Sequence, residues 1–324
     1  MQAQCVRIGI GVLCITLHTY CAKEPTERAS QWSRAPILIL QTGYSEYGGP
    51  LVQWKTVGIT DSSREGILPV HALILEDVAW LSPPEVAVLL CWTGSLLLPR
   101  SRGCEVVVHW LRQGRSRSLG VFPQETRMAV DRKNNRLAVV WQPTSGSLTI
   151  GVYDSLDWDI VSTMTIAWNL PWHVEGGSSI SAGWIGETED LLVAHHSGKA
   201  CVITPRSQQF RSTNVVPNWK IQLKTNSKDD RYLTSLWTND NAEYAKTKVV
   251  VGHVGRSGIQ TLVTTDNAVQ NMFFGPDGNT VFYSEWHPGH SSYVNEHRFI
   301  KLEDFTNNWF RRDSSCLHDV AVIR

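Results

Sequence analysis

The chain has 324 residues, 42% of them hydrophobic, which is enough apolar surface for one large or two ordinary domains with a substantial core. Lys plus Arg and Asp plus Glu stand at 30 each, so no net field draws the protein to an anionic membrane or to nucleic acid, and nucleic acid is set aside as a partner. The 14 Trp are the compositional oddity: large rings with one polar atom suit all-β cores and binding faces.

In chain order, residues 1–22 (MQAQCVRIGIGVLCITLHTYCA) carry one positive charge at Arg7, an apolar run from Ile8 to Leu17, and small residues near Cys21 and Ala22. This is the shape of a secretory signal peptide. The apolar run is shorter than the roughly 20 residues a membrane-spanning helix needs, so no transmembrane segment is expected after signal removal. Tyr20 before Cys21 argues against lipoprotein anchoring at Cys21, where a small residue is wanted. A buried N-terminal strand is the competing reading. Residues 23–35 read as a linker and 36–324 as the folded domain, in a secreted or periplasmic protein.

From there the chain is a succession of strand signals, short runs rich in Val, Leu and aromatics bounded by turn residues. "PILILQT" and "LVQWKTV" come first. "VAWLSPPEVAVLLCW" then places Trp80 and Trp92 twelve residues apart. The spacing recurs at Ala129 and Trp141 in "MAVDRKNNRLAVVW", at Trp184 and His196 in "GWIGETEDLLVAHH", and at Phe274 and Trp286 in "FFGPDGNTVFYSEW". A weaker copy, "LTSLWTNDNAEYAKTKVVVGH", runs from Trp237 to His253 with a turn longer by four residues. The unit is strand, polar turn, strand, closed by a large ring. "CEVVVHWL", "SLGVF", "LTIGVYD", "IVSTMTI" and "RFIKLED" supply further strands between copies.

The ring-bearing ends Trp92, Trp141, His196, His253 and Trp286 are separated by 49, 55, 57 and 33 residues. Repeats of about 40 to 50 residues with four strands each are the pattern of propeller blades. The expected fold is an all-β propeller of about six four-stranded blades, seven being next, with the terminal "DVAVIR" pairing into the first blade to close the ring. A β-sandwich is the runner-up, and it does not require the twelve-residue spacing.

"FFGPDGNTVFYSEW" resembles the PD40, or WD40-like, β-propeller repeat of the TolB type, whose hairpin carries Pro-Asp-Gly between its inner strands. The close match is confined to residues 273–286. "WLSPPEVAVLL" keeps the Ser-Pro and loses the Asp-Gly, while "AVDRKNNRLAVVW" and "WIGETEDLLVA" keep only the shape. The resemblance implies the propeller fold across residues 77–302 and leaves activity open, since propellers host enzymes and adaptors alike.

In propellers of this resemblance the second strand of each blade returns to the ligand-bearing face. Trp92, Trp141, His196 and Trp286, with His253 less securely, would then ring the mouth of the channel. Aromatic faces there suit a peptide or a glycan; packing between blades is the competing reading. His287-Pro-Gly-His290, with Glu285 and His297 nearby, has zinc-ligand chemistry. Pro288 and Gly289 make it a turn, however, so loop histidines are preferred and no metal site or cofactor is assigned. His195 and His196, read as neighbours on a strand, face opposite ways and cannot share one ion.

Asp154, Asp157 and Asp159 read as solvated hairpin carboxylates at the rim. A glycosidase needs facing carboxylates on inner strands, where Asp77, Asp131 and Glu285 are thin provision. Once the signal is removed, Cys91, Cys104, Cys201 and Cys316 remain, and Cys91 with Cys104 is the candidate disulfide of an oxidising compartment. No nucleophile elbow, phosphate loop or HExxH motif is present. The expected function is a binding or interaction module for a protein, peptide or glycan. The alternative is a propeller-fold hydrolase acting on carbohydrate.

Overall fold

A computed structural model describes residues 37–322 except for 45–49, 58–64, 69–73, 84, 93–102, 124–125, 144–145, 171–172, 175–176, 179, 218–222, 239–245, 288–293 and 314–315. The signal and linker assigned to residues 1–35 lie outside the described residues. No helix among the described residues is long and apolar enough to cross a membrane.

The strands in chain order are β1 (Ile37–Tyr44), β2 (Pro50–Val57), β3 (Glu65–Leu68), β4 (Ile74–Ser82), β5 (Val86–Trp92), β6 (Gly103–Trp110) and β7 (Arg115–Pro123). They continue with β8 (Arg127–Asp131), β9 (Arg136–Trp141), β10 (Gly146–Asp154), β11 (Ile160–Trp168), β12 (His173–Val174) and β13 (Gly177–Ser178). Next come β14 (Ile180–Ile185), β15 (Asp190–His195), β16 (Lys199–Thr204), β17 (Gln209–Asn214), β18 (Lys224–Thr225), β19 (Arg231–Thr238), β20 (Lys246–His253) and β21 (Ile259–Thr265). The last are β22 (Ala268–Phe274), β23 (Thr280–His287), β24 (Val294–Lys301), β25 (Asn307–Asp313) and β26 (Cys316–Val322).

Among the described residues they form six four-stranded antiparallel sheets and one two-stranded ribbon, β12–β13. Five of the sheets take four consecutive strands. The sixth has the order β26-β1-β2-β3, so the chain's last strand completes its first sheet. The register Ile37↔Val322, Leu38↔Ala321 and Ile39↔Val320 makes that closure. The leading strands touch in cyclic order, β26 to β4, β8, β14, β18, β22 and back to β26. The architecture is an all-β propeller with these strands around its channel.

The core lies between successive sheets rather than inside any one. Leu137, Val139, Leu90 and Val106 meet between the β4–β7 and β8–β11 sheets. Ala138, Val140, Leu191 and Val193 meet between the β8–β11 and β14–β17 sheets. Alternate residues of β9 therefore serve opposite interfaces, and Leu137 to Val140 are all fully buried. This is why the middle strands read as continuous apolar runs rather than alternating ones. The fourth strands face outward: Arg115 to Ser118 of β7 and Gln209 to Ser212 of β17 are exposed.

The Pro-Asp-Gly hairpin joins β22 to β23, the first two strands of their sheet. Asp277 Oδ1 accepts hydrogen bonds from the N–H groups of Asn279 and Thr280 at 3.0 and 2.9 Å, and Gly278 supplies the positive φ of 72° that closes the turn.

The weaker copy falls elsewhere. β19 and β20 are the second and third strands of their sheet, because its first strand, β18, is only two residues long and carries no hydropathy signal. With Thr238 as the second-strand end, the intervals of 57 and 33 become 42 and 48, in step with the other blades.

Candidate functional site

Each first-to-second-strand turn lies at one end of the ring, the turn end, and each second strand finishes at the opposite, far end. Trp92, Trp141 and Trp286 stand at or near the ends of β5, β9 and β23, and His196 follows β15, so these four share the far end. His253 does not. It ends a third strand and pairs with Arg231, the first residue of β19, which puts it at the turn end, where its Nδ1 lies 2.7 Å from Asp230 Oδ1. The sequence expectation fails here because a second-to-third-strand hairpin has the same strand–turn–strand form as a first-to-second one but runs the other way.

Trp141 is half-buried in the core between the second and third sheets, 5.1 Å from the Phe122 ring. Gly151 on the neighbouring strand makes room for it, since a Cβ there would stand 3.2 Å from the indole. Its surroundings are those of inter-blade packing. Trp286 is half-buried, and the side chain of Trp92 lies outside the described residues.

The His195 and His196 rings lie 3.9 Å apart rather than on opposite faces, because β15 ends at His195 and His196 begins the turn. His195 Nδ1 is 2.7 Å from Ser197 Oγ, and Gly198 closes the turn at φ 87°. Cys91 pairs in register with Glu105, and Cys104 with Trp92, so the two cysteines are one position out of step. Neighbouring positions face opposite sides of a sheet, whereas a disulfide needs facing Cβ atoms. Cys104 is buried in the core.

The channel holds the feature that sequence reading missed. A cavity of about 160 Å³ is lined by first-strand residues, among them Asp77 of β4, Met128 of β8, Trp184 of β14, Lys224 of β18 and Phe274 of β22. Lys224 Nζ donates to Asp77 Oδ2 at 3.2 Å. In the cyclic order of leading strands β4 and β18 stand opposite one another, so this ion pair, between residues 147 apart in sequence, spans the channel. The side chains of Lys224 and Asp77 keep 36% and 23% of their exposure, which leaves the pair open to solvent.

The clue to Lys224 was the likeness of "NSKDDR" to "DRKNNR". Asn226 and Asp131 begin these turns and Arg231 and Arg136 end them, both entering second strands.

The remaining carboxylates do not join Asp77. Asp131 is held within its own turn by Arg136 Nη2 at 2.6 Å and Asn134 Nδ2 at 2.8 Å. Glu285 lies on β23, a second strand, near His287 and Glu296. Asp154 and Asp157 accept from the backbone N–H groups of Leu156 and Asp159 in the outer hairpin, and Arg117 Nη1 donates to the Asp157 carbonyl at 2.7 Å. Among the described residues Asp77 is the only carboxylate lining the channel cavity.

No protein-family profile matches the chain, and no curated protein matches it. Among solved structures it is similar to TolB from Acinetobacter baumannii, with 10% identity and a TM-score of 0.55 over 87% of this chain and 66% of that one. It is also similar to Kuenenia stuttgartiensis hydrazine synthase, with 11% identity and a TM-score of 0.50 over 78% of this chain and 69% of that one. At such identities the likeness establishes the fold, and the chain has the β-propeller architecture that its Pro-Asp-Gly hairpin suggests.

Proposed function

We propose that this chain is an exported six-bladed propeller that binds a protein or peptide segment in its central channel, with Lys224 and Asp77 as the contact pair. The blade count rests on the six four-stranded sheets and the cyclic order of their leading strands. Export rests on the signal-like residues 1–22, and an N-terminus of the exported protein at about residue 22 or 23, read by mass spectrometry, is the expected result.

The observation that carries the binding reading is the ion pair across the channel. A part-exposed pair of this kind contributes little to stability, yet it presents one cation and one anion to whatever enters. A peptide brings charged side chains or termini that replace either partner; a neutral sugar brings none. The hydrolase alternative needs a second carboxylate across from Asp77, about 5 to 9.5 Å away, and the described lining supplies none. The far-end residues Trp92, His196 and Trp286 take the secondary part of flanking contacts, Trp141 being packed between blades.

The test is a screen of the full chain against peptide and glycan arrays, repeated with Lys224→Ala and Asp77→Asn. Peptide binding that weakens by on the order of 1 to 3 kcal/mol in both variants is expected. Binding that is confined to glycans, or that both variants retain in full, overturns the channel reading.

A further inference from the structure

The last sheet holds a polar cluster that neither the channel nor the blade packing uses. Register on β23 and β24 sets Glu285 directly opposite Glu296 and Tyr283 opposite Arg298, and His287 lies two residues beyond Glu285 on the same face. Like charges directly opposite on paired strands repel. Here one of them is also deeply buried, the Glu285 side chain being 5% exposed and that of Glu296 16%.

Arg298 serves mainly Glu296: its Nε and Nη2 donate to Glu296 Oε2 at 2.9 and 2.5 Å, while Nε stands 3.8 Å from Glu285 Oε1. Glu285 Oε2 otherwise accepts one long bond, 3.3 Å, from Asn267 Nδ2. One guanidinium thus faces two carboxylates, and the Tyr283 hydroxyl is a further hydrogen-bond partner of Glu285.

His287 Nε2 is buried, has no hydrogen-bond partner, and lies 3.6 Å from Oε2 of both Glu285 and Glu296. That is too long for a hydrogen bond. Where an imidazole does bond a carboxylate in this molecule, at His253 and Asp230, the distance is 2.7 Å. A cation held at about 2.0 to 2.1 Å by tetrahedral ligands sets those ligands about 3.4 Å apart. The ligand atoms of Glu285, His287 and Glu296 all lie within 4.8 Å of one another.

We propose that Glu285, His287 and Glu296 form a binding site for one divalent cation of the zinc class. One imidazole nitrogen and two carboxylate oxygens suit zinc better than magnesium or calcium, which prefer all-oxygen shells. Arg298 then stays on Glu296 as the partner that orients the ligand. Asn267, in the connection from β21 to β22, bonds Glu285 and so holds one of the ligands from outside the two strands that carry them. His297 takes no part: its Nδ1 bonds Ser284 Oγ at 2.9 Å, on the other face of the sheet. Glu296 arrives from the next strand and is brought to the site only by register.

The test uses the untagged full chain stripped with chelator and titrated with zinc ions by calorimetry, alongside melting curves. One equivalent of zinc with a rise in melting temperature is expected. His287→Gln and Glu296→Gln should each weaken zinc binding by about tenfold or more, while His253→Gln at the turn end leaves it unchanged. Where a variant loses its cooperative melt, cobalt(II) bound to the unaltered chain decides, an intense tetrahedral visible band being expected. No bound zinc, full affinity in both folded variants, a preference for calcium, or a pale octahedral cobalt spectrum overturns the proposal.

Discussion

The two ends of the propeller treat charge in opposite ways. At the turn end polar groups close on one another. Arg136 and Arg231 each meet an aspartate of their own turn, Asp131 and Asp229, at 2.6 Å. Neighbouring turns are then stitched together: Asn226 Nδ2 and Arg231 Nη2 both donate to the Gly278 carbonyl, Arg132 Nε to that of Trp80, and Trp184 Nε1 to that of Ala129. At the far end His287 Nε2 stands 3.6 Å from a carboxylate oxygen of Glu285 and of Glu296 and bonds neither. An arginine bonded to the aspartate of its own turn is structure, whereas the proposed cation site rests on the unbonded His287 Nε2, since Glu296 is already bonded to Arg298. The Lys224–Asp77 pair falls between, bonded but still wet.

Both ends depend on closure, so its loss should have the largest effect. A chain ending at Ser315 lacks β26, the leading strand that contacts β4 and β22. It is expected to forfeit most of the roughly 5 to 15 kcal/mol that holds a domain together and to show no cooperative unfolding by circular dichroism. A truncated chain that melts at the full-length temperature would disprove closure by this strand.

At the turn end Trp184→Ala should cost about 3 to 5 kcal/mol, because it removes a buried indole that also bonds Ala129 and lies 4.8 Å under the Arg136 guanidinium. Trp184→Phe keeps the packing and should cost about 1 kcal/mol. Trp141→Ala sharpens the contrast at the far end. As inter-blade packing against Phe122 it is expected to cost about 3 kcal/mol, and an unchanged melting temperature would instead mark it as a surface ring.

Gly278→Ala ranks next, at about 1 to 2 kcal/mol. Its φ is 72°, and a new Cβ would stand 3.0 Å from Asn226 Oδ1, pressing on the contact that joins two turns. Urea denaturation measures it, and no loss would show that the turn relaxes freely. Lys224→Ala should cost less than about 1 kcal/mol, so binding and stability separate at this residue. A drop in melting temperature as large as that of Trp184→Ala would make the channel pair structural.

Near neutral pH the smallest effect is expected at Cys201, whose thiol burial pushes up to about 12 from 9.0, so that its contribution shows only in alkali. The folded state holds the proton that the unfolded chain releases, so this contribution is intact below pH 9 and lost as pH rises from 9 to 12. Cys201→Ala should flatten the fall in stability across that window, and an unchanged slope would refute the assignment.

The propeller was legible because its blades repeat and because residues such as Leu137 to Val140 form a run that only a strand buried on both faces requires. The blade built on β18 was not, since a two-residue strand has no period to detect. For the same reason His253 was assigned to the far end although it stands at the turn end.

By itself the sequence determined the all-β class, the Pro-Asp-Gly hairpin and the role of the terminal strand, because local turn chemistry and apolar runs encode these within a few residues. Only the tertiary structure decided that Lys224 meets Asp77 and that Glu296 joins Glu285 and His287. Ring closure brings together residues 147 apart in the first case, and register between adjacent strands aligns the second. Neither relation leaves a mark on the residues in between, since charged side chains at part-exposed or strand-end positions look alike in sequence whether they face solvent or one another.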